Sequence, residues 1–283
     1  MRRINWIVVG FALASAATVP AAAQDSADAV RVELTRSSEP CFLECGLVHG
    51  GIYVSAYEGD EIIVETRPRG ISVSERSRER RDEDSPGGSG LRRIAVTTSS
   101  LTVEEKDNRV SVGGTPWAKG IDIHIQVPVR TSLGLSCVND GDIHVEGVSG
   151  DVELQNVNGG ITAVEVSGSV IANTTNGDVT VDLRAADEGK PMSFVTFNGE
   201  LDIQLPGEVK MTMKMEVGRG EAYSDFDIAV SDRKPKMIEE NTRDTDGTYR
   251  VRLEEAFFGD VNGGGPEFYF RTFNGDIYIR KGI

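Results

Sequence analysis

Between residues 141 and 183 glycine returns at every ninth position, as Gly141, Gly150, Gly159, Gly168 and Gly177. Two places after each comes a branched aliphatic: Ile143, Val152, Ile161, Val170 and Val179. Four places after comes Val145, Leu154, Ala163, Ala172 or Val181, and seven places after comes Val148, Val157, Val166 or Thr175. Positions two and four share a parity, so on a strand they face one side. Position seven has the other parity, and joins the same interior only if the chain turns or bulges in between. The residue before each glycine is Asp140, Ser149, Asn158, Ser167 or Asn176, which suits a turn where the backbone needs φ > 0. One such unit cannot bury its own apolar face, and stacked copies can. The pattern therefore predicts an all-β chain, a β-solenoid or parallel β-helix-like stack of short strands with two units, about 18 residues, per coil. A meander of antiparallel hairpins is the alternative, because Asn-Gly and Asp-Gly also open hairpins.

The rest of the chain carries looser copies. Gly50 and Gly59 are also nine apart, followed by Ile52, Val54 and Ile62, Val64. Ile121, Ile123, Ile125 and Val127 alternate with Asp122, His124 and Gln126 up to Pro128, as a half-buried strand does. Thr-x-Asn-Gly occurs at 174–177, 196–199 and 272–275, which adds Gly199 and Gly275 to the predicted turns. Residues 75–90 are charge, Gly and Ser and predict an exposed flexible loop. Its arginines (Arg76, Arg78, Arg80, Arg81) are interleaved with five acids, which favours a solvated loop over a binding patch. No helical periodicity of more than a few turns follows the first segment, so residues 24–283 are expected to form one elongated β-repeat domain.

Residues 1–23 have the parts of a secretory signal peptide: Arg2 and Arg3, an apolar run from Trp6 to Val19, then Ala21, Ala22 and Ala23. The run is shorter than the ~20 residues a membrane span needs, and no later stretch is long and apolar enough to serve as an anchor. Cleavage takes the formal charge from −15 to −17. That balance argues against nucleic acid and against anionic lipid as partners. In an oxidising compartment the neighbouring Cys41 and Cys45 could form a small local disulfide or stay free, and Cys137 reads as a buried thiol.

Catalytic chemistry finds few footholds. The chain has three histidines (His49, His124, His144), no Gly-x-Ser-x-Gly elbow, no phosphate loop and no zinc spacing. His124 and His144, both outward, would bind metal only if they faced one another. Asp60, Asp142, Asp151, Asp178 and Asp276 after the turn glycines are a candidate calcium column. However, Gly160 and Ser169 interrupt it and the double-glycine turn of calcium rolls is missing, so no cofactor is expected and the aspartates read as turn caps. The third position of the units holds His144, Glu153, Thr162, Ile171 and Thr180, too mixed for the acidic cleft of a polysaccharide-degrading β-helix.

Three features together carry a resemblance. They are Val127-Pro128 leading into Val138-Asn139-Asp140-Gly141-Asp142-Ile143-His144-Val145, the nine-residue glycine units, and the closing Arg271-Thr272-Phe273-Asn274-Gly275-Asp276-Ile277-Tyr278-Ile279. The chain resembles the bacterial putative-adhesin family, a domain of unknown function built of β-strand repeats, and is similar to auto-transporter adhesin head domains. The resemblance spans residues 30–283 and is strongest over 121–205 and 266–281. It implies an exported, non-catalytic protein of the periplasm or cell surface whose partner is a protein or glycan, and it supplies no catalytic residues. The alternatives are a carbohydrate-active β-helix enzyme and an envelope scaffold that self-associates through its end coils.

Overall fold

The computed structural model describes residues 29–68, 101–114, 120–231, 237–242, 248–253 and 256–282. Residues 1–23, residues 75–90 and much of the charged stretch 232–246, on which the signal-peptide and flexible-loop expectations fall, lie outside the described residues. Among those described there is no helix. The strands in order are β1 (Ala29–Glu33), β2 (Cys41–His49), β3 (Ile52–Tyr57), β4 (Glu61–Pro68), β5 (Leu101–Lys106), β6 (Arg109–Gly114), β7 (Ile121–Pro128) and β8 (Thr131–Asn139). Next come β9 (Ile143–Glu146), β10 (Ser149–Asn156), β11 (Ile161–Asn176), β12 (Val179–Ala186), β13 (Met192–Asn198), β14 (Leu201–Leu205) and β15 (Met211–Arg219). The last are β16 (Ala222–Ser224), β17 (Ile228–Val230), β18 (Met237–Thr242), β19 (Thr248–Leu253), β20 (Phe257–Val261), β21 (Glu267–Asn274) and β22 (Ile277–Lys281). Twenty of them form one nearly closed, barrel-like sheet, and β18 and β19 pair antiparallel by themselves.

Two columns of parallel neighbours make up most of that sheet. The first runs β6, β2, β8, β10, the second half of β11, β13, β21, β15. The second runs β7, β3, β9, the first half of β11, β12, β14, β22, β16. In the regular stretch each residue sits beside the one eighteen places on: Ile143 by Ile161, Ile161 by Val179, and Gly150 by Gly168. Parallel pairing between such partners excludes the hairpin meander over this stretch, because hairpins pair antiparallel. The insertion after Leu183 lengthens the next step, so Val179 lies by Leu201.

Strand order departs from chain order at both ends. The strands β2 and β3 lie between β6 and β7 on one side and β8 and β9 on the other. Likewise β21 and β22 lie between β13–β14 and β15–β16. Antiparallel strands close the outer edges: β5 on β6, β4 on β7 with β1 beyond, and β20 on β15 with β17 beyond.

The core is the aliphatic pair of every unit. Ile143, Val152, Ile161, Val170 and Val179 are buried, as are Val145, Leu154, Ala163, Ala172 and Val181. Each inward Ile or Val contributes about 1.5–3 kcal/mol. Phe194 stacks on Phe270 at 5.4 Å within the core. The seventh position alternates instead of pointing inward throughout. Val148 and Val166 are buried, whereas Val157 and Thr175 are exposed. Two kinds of corner cause this. At one, Gly147 and Glu165 take left-handed φ of 76° and 57°, which changes parity and turns the following valine in. At the other, parity runs unbroken to Asn156 and Thr174, which are buried one residue earlier.

The predicted turn glycines divide between these corners. Gly141, Gly159, Gly177, Gly199 and Gly275 line up on the second kind, while Gly150 and Gly168 pair across the first column of strands. Gly141 and Gly150 are not in the left-handed region, and Asp140 takes that conformation (φ 56°) beside Gly141. The tighter requirement is space. A Cβ on Gly159 would lie 2.1 Å from the Gly141 carbonyl oxygen, and one on Gly177 would lie 2.2 Å from that of Gly159.

Cys41, Cys45 and Cys137 are buried, and the structure joins none of them in a disulfide. Cys41 and Cys45 sit four residues apart on β2, so strand rise separates their Cα atoms by about 13 Å, beyond the roughly 7 Å a disulfide allows. Thiol titration of denatured protein is expected to return three free thiols, and one would contradict the strand assignment. Gly177→Ala is expected to lower stability by about 2 kcal/mol or more through overpacking and backbone strain. Gly113→Ala, which meets nothing within 4 Å, should cost far less. Equal melting temperatures for the two would contradict the close backbone contact.

Candidate functional site

Thr-x-Asn-Gly builds the second corner, and each residue has one task. The threonine faces inward and its hydroxyl donates to the glycine carbonyl of the preceding coil: Thr174 to Gly159 (2.9 Å), Thr196 to Gly177 (2.8 Å), Thr272 to Gly199 (3.0 Å). Asn156 does the same for Gly141 through Nδ2, at 2.8 Å. The asparagines Asn139, Asn158, Asn176, Asn198 and Asn274 form a ladder in which each Nδ2 donates to the Oδ1 of the one before it, at 2.6–3.2 Å. After the glycine a carboxylate Oδ1 accepts a backbone N–H of the adjacent coil: Asp142 from Gly160, Asp178 from Glu200, Asp276 from Glu221. These bonds answer the polar groups that a corner would otherwise leave unpaired.

The residue between Thr and Asn projects outward, as do the residues stacked with it between Asn156 and Asn158, Cys137 and Asn139, and Leu47 and His49. In stacking order these are Val48, Val138, Val157, Thr175, Phe197 and Phe273. The valines and phenylalanines are 39–48% exposed and form an apolar column along the corner, interrupted by Thr175. Phe197 and Phe273 stack at 4.8 Å, with the Arg219 guanidinium 5.9 Å from the Phe273 ring. Beyond the asparagine ladder lie the acids Asp142, Asp178, Glu200, Asp276 and Glu221.

The other sequence candidates are placed apart. Tyr53 on β3 pairs with His124 on one side and His144 on the other, so the histidines do not face each other. Tyr53 stacks on His124 at 4.7 Å. Burial holds the His124 pKa below the ordinary histidine range, aided by Arg67 and opposed by Asp122 and Glu65. His49 pairs with Asn139. Asp151 accepts from Lys190 (2.7 Å) and Ser169 (2.8 Å), which hold its carboxyl below the usual range. Asp60 lines a shallow hollow with Tyr57 and Arg130. The calcium column is therefore not one column. Asp142, Asp178 and Asp276 bind backbone, and Asp151 sits across the coil in an ion pair. No group of three or more His, Cys, Asp or Glu able to hold a metal occurs among the described residues. The third-position residues split as well, with His144, Thr162 and Thr180 in one column of strands and Glu153 and Ile171 in the other. Burial raises the Cys41 and Cys45 thiols, Cys137 adding to the effect at Cys45, so neither is a ready nucleophile.

The aromatic column was not foreseen from the sequence, although its signal was present. Thr-Phe-Asn-Gly occurs twice, identically, at 196–199 and 272–275, and the copies stack. Separation of the two by 76 places hides the contact.

The chain is similar to the crystal structure of a putative cell adhesion protein from Clostridium sporogenes ATCC 15579, at 12% identity over 90% of this chain and 99% of that one, with a TM-score of 0.44. It is similar also to a putative adhesin from Bacteroides fragilis NCTC 9343, at 13% identity over 89% of this chain and 95% of that one, with a TM-score of 0.32. No family model matches the chain, and no curated protein matches it. At these TM-scores neither neighbour carries an argument about what the chain binds.

Two outcomes follow from the geometry. Thr196→Val leaves a buried carbonyl without its donor and is expected to cost about 1–3 kcal/mol in a denaturant melt; an unchanged midpoint would contradict the bond. For His124, a depressed folded pKa means that the unfolded chain binds protons more readily below about pH 6.5. Stability is therefore complete above that value and declines as pH falls. His124→Phe keeps a ring against Tyr53 and should flatten the decline between pH 7 and pH 5. Melting temperatures that track wild type at every pH would contradict it.

Proposed function

We propose that the chain is an exported, non-catalytic binding protein of the bacterial envelope, adhesin-like, built as one β-solenoid domain over residues 24–283. The eighteen-residue parallel register supports a coil of two units. The basic, apolar and small-residue segments of residues 1–23 support export to the periplasm or cell surface. A relation to auto-transporter adhesin heads fits the same reading. The observation that carries a binding role is the exposed apolar column, held in line by the asparagine ladder. Such a column has no structural use on the outside of a stack whose core is already filled, and exposed apolar patches mark contact sites. The partner in this reading is a protein or glycan.

Self-association is a second reading, favoured by one feature. Among the described residues β16 pairs on a single edge, with β22, beside an apolar groove lined by Met215, Val217, Phe226, Ile228 and Phe257. Open edges of this kind invite a further strand.

Binding and turnover are separated by presenting residues 24–283 to glycan and envelope-protein arrays and, in parallel, to a polysaccharide panel with product analysis. Saturable capture without product is the expected result. Product formation that disappears on replacing outward acids would overturn the reading.

A further inference from the structure

We propose that the apolar column docks a basic amphipathic helix of a partner protein, laid along the stacking axis. The inference rests on the binding reading above and names its partner class.

Spacing is the first argument. Parallel strands repeat every ~4.8 Å, so the column offers one outward side chain at that interval. A helix rises about 5.4 Å per turn and presents one apolar position per turn on a face. The two repeats differ by about 0.6 Å per coil and so stay in step over about three coils. A strand laid the same way would offer same-side residues every ~6.8 Å and lose step within two coils. Chemistry is the second argument. Phe197 and Phe273 turn a face on each other at 4.8 Å, and Arg219 lies over Phe273. Faces used in this way are withdrawn from the flat platform on which sugars stack, which favours a protein partner over a glycan. Charge is the third. Asp142, Asp178, Glu200, Asp276 and Glu221 run alongside the column on a chain of formal charge −15. The helix that fits carries Lys or Arg beside its apolar stripe, and like charges would be repelled.

The test uses residues 24–283 and a synthetic helical peptide with Leu at i, i+3, i+4 and i+7 and Lys elsewhere, followed by fluorescence anisotropy. Binding is expected, weakened by salt, and absent for the same peptide with Glu in place of Lys. Replacing both phenylalanines (Phe197→Ser with Phe273→Ser) is expected to weaken it about tenfold or more, as loss of paired aromatic anchors does. Ile171→Ser, equally exposed but on another row, should leave it unchanged. If the double variant melts early, Val138→Ser with Val157→Ser reads the same column. Absence of binding by the Lys peptide, undiminished binding by the column variants, or equal loss in Ile171→Ser would each overturn the inference. Oligosaccharide capture that the column variants abolish would also overturn it while leaving the binding reading intact; silence on every array would sink that reading instead.

Discussion

Backbone meets backbone at the Asn-Gly corner, and the stack is built on that contact. With Gly141, Gly159 and Gly177 a few ångströms apart along one line, no side chain can stand between coils. The close approach sets the corner of each coil directly over the one below. It thereby fixes parallel register and aligns every inward column: Ile143 under Ile161 under Val179, Val145 under Ala163 under Val181. A slip by one residue would send each aliphatic to the outer face. The threonine, asparagine and aspartate around the glycine answer the polar groups that so tight a corner exposes.

That alignment has consequences on the outside. Because the corner repeats, whatever stands between threonine and asparagine repeats too, and valines and phenylalanines become a line without being neighbours in the chain. The same logic produces the Tyr223–Tyr278 stack at 5.3 Å and the Asp202–Arg280 ion pair, whose members come from adjacent coils. Surface pairs of this kind contribute little each. Their value here lies in showing how faithfully the register extends to the closing coils. At both ends the chain tucks one coil inside its neighbour, so β2–β3 and β21–β22 have parallel partners on both sides, with antiparallel strands outside them. Except at β16, the outermost parallel strands are thereby covered, which guards a stack of strands against uncontrolled growth. Such long-range pairings also predict slow folding.

Much of this was legible in the chain. The glycine spacing and the two aliphatic columns follow from period and parity alone, and the residues they single out are the buried ones. The seventh position was misread as one column because nine-residue counting treats alike two corners that differ in backbone conformation. Val148 and Val157 look equivalent until Gly147 is seen to change parity and Asn156 not to. The tucked coils were not legible, since nothing local in Ile52–Tyr57 says whether its neighbour is β7, β9 or both. The sequence left a Cys41–Cys45 bridge open, because proximity in the chain does not reveal that an extended strand holds the two apart. At the site, the turn residues were visible and the apolar line was not, because it joins Val48, Val157 and Phe273 across more than two hundred positions.

The decisive measurement is a pair of deletions followed by circular dichroism and thermal melting. Removing residues 159–176 takes out one whole coil and joins Asn158 to Gly177, so an Asn-Gly corner and both strand columns are restored. Removing residues 159–167 joins Asn158 to Gly168 and sends strands of one column into the other. Stacking by eighteen predicts a β-type spectrum and a single cooperative melt for the longer deletion and neither for the shorter. Equal behaviour of the two proteins, or survival of the shorter deletion alone, would contradict it.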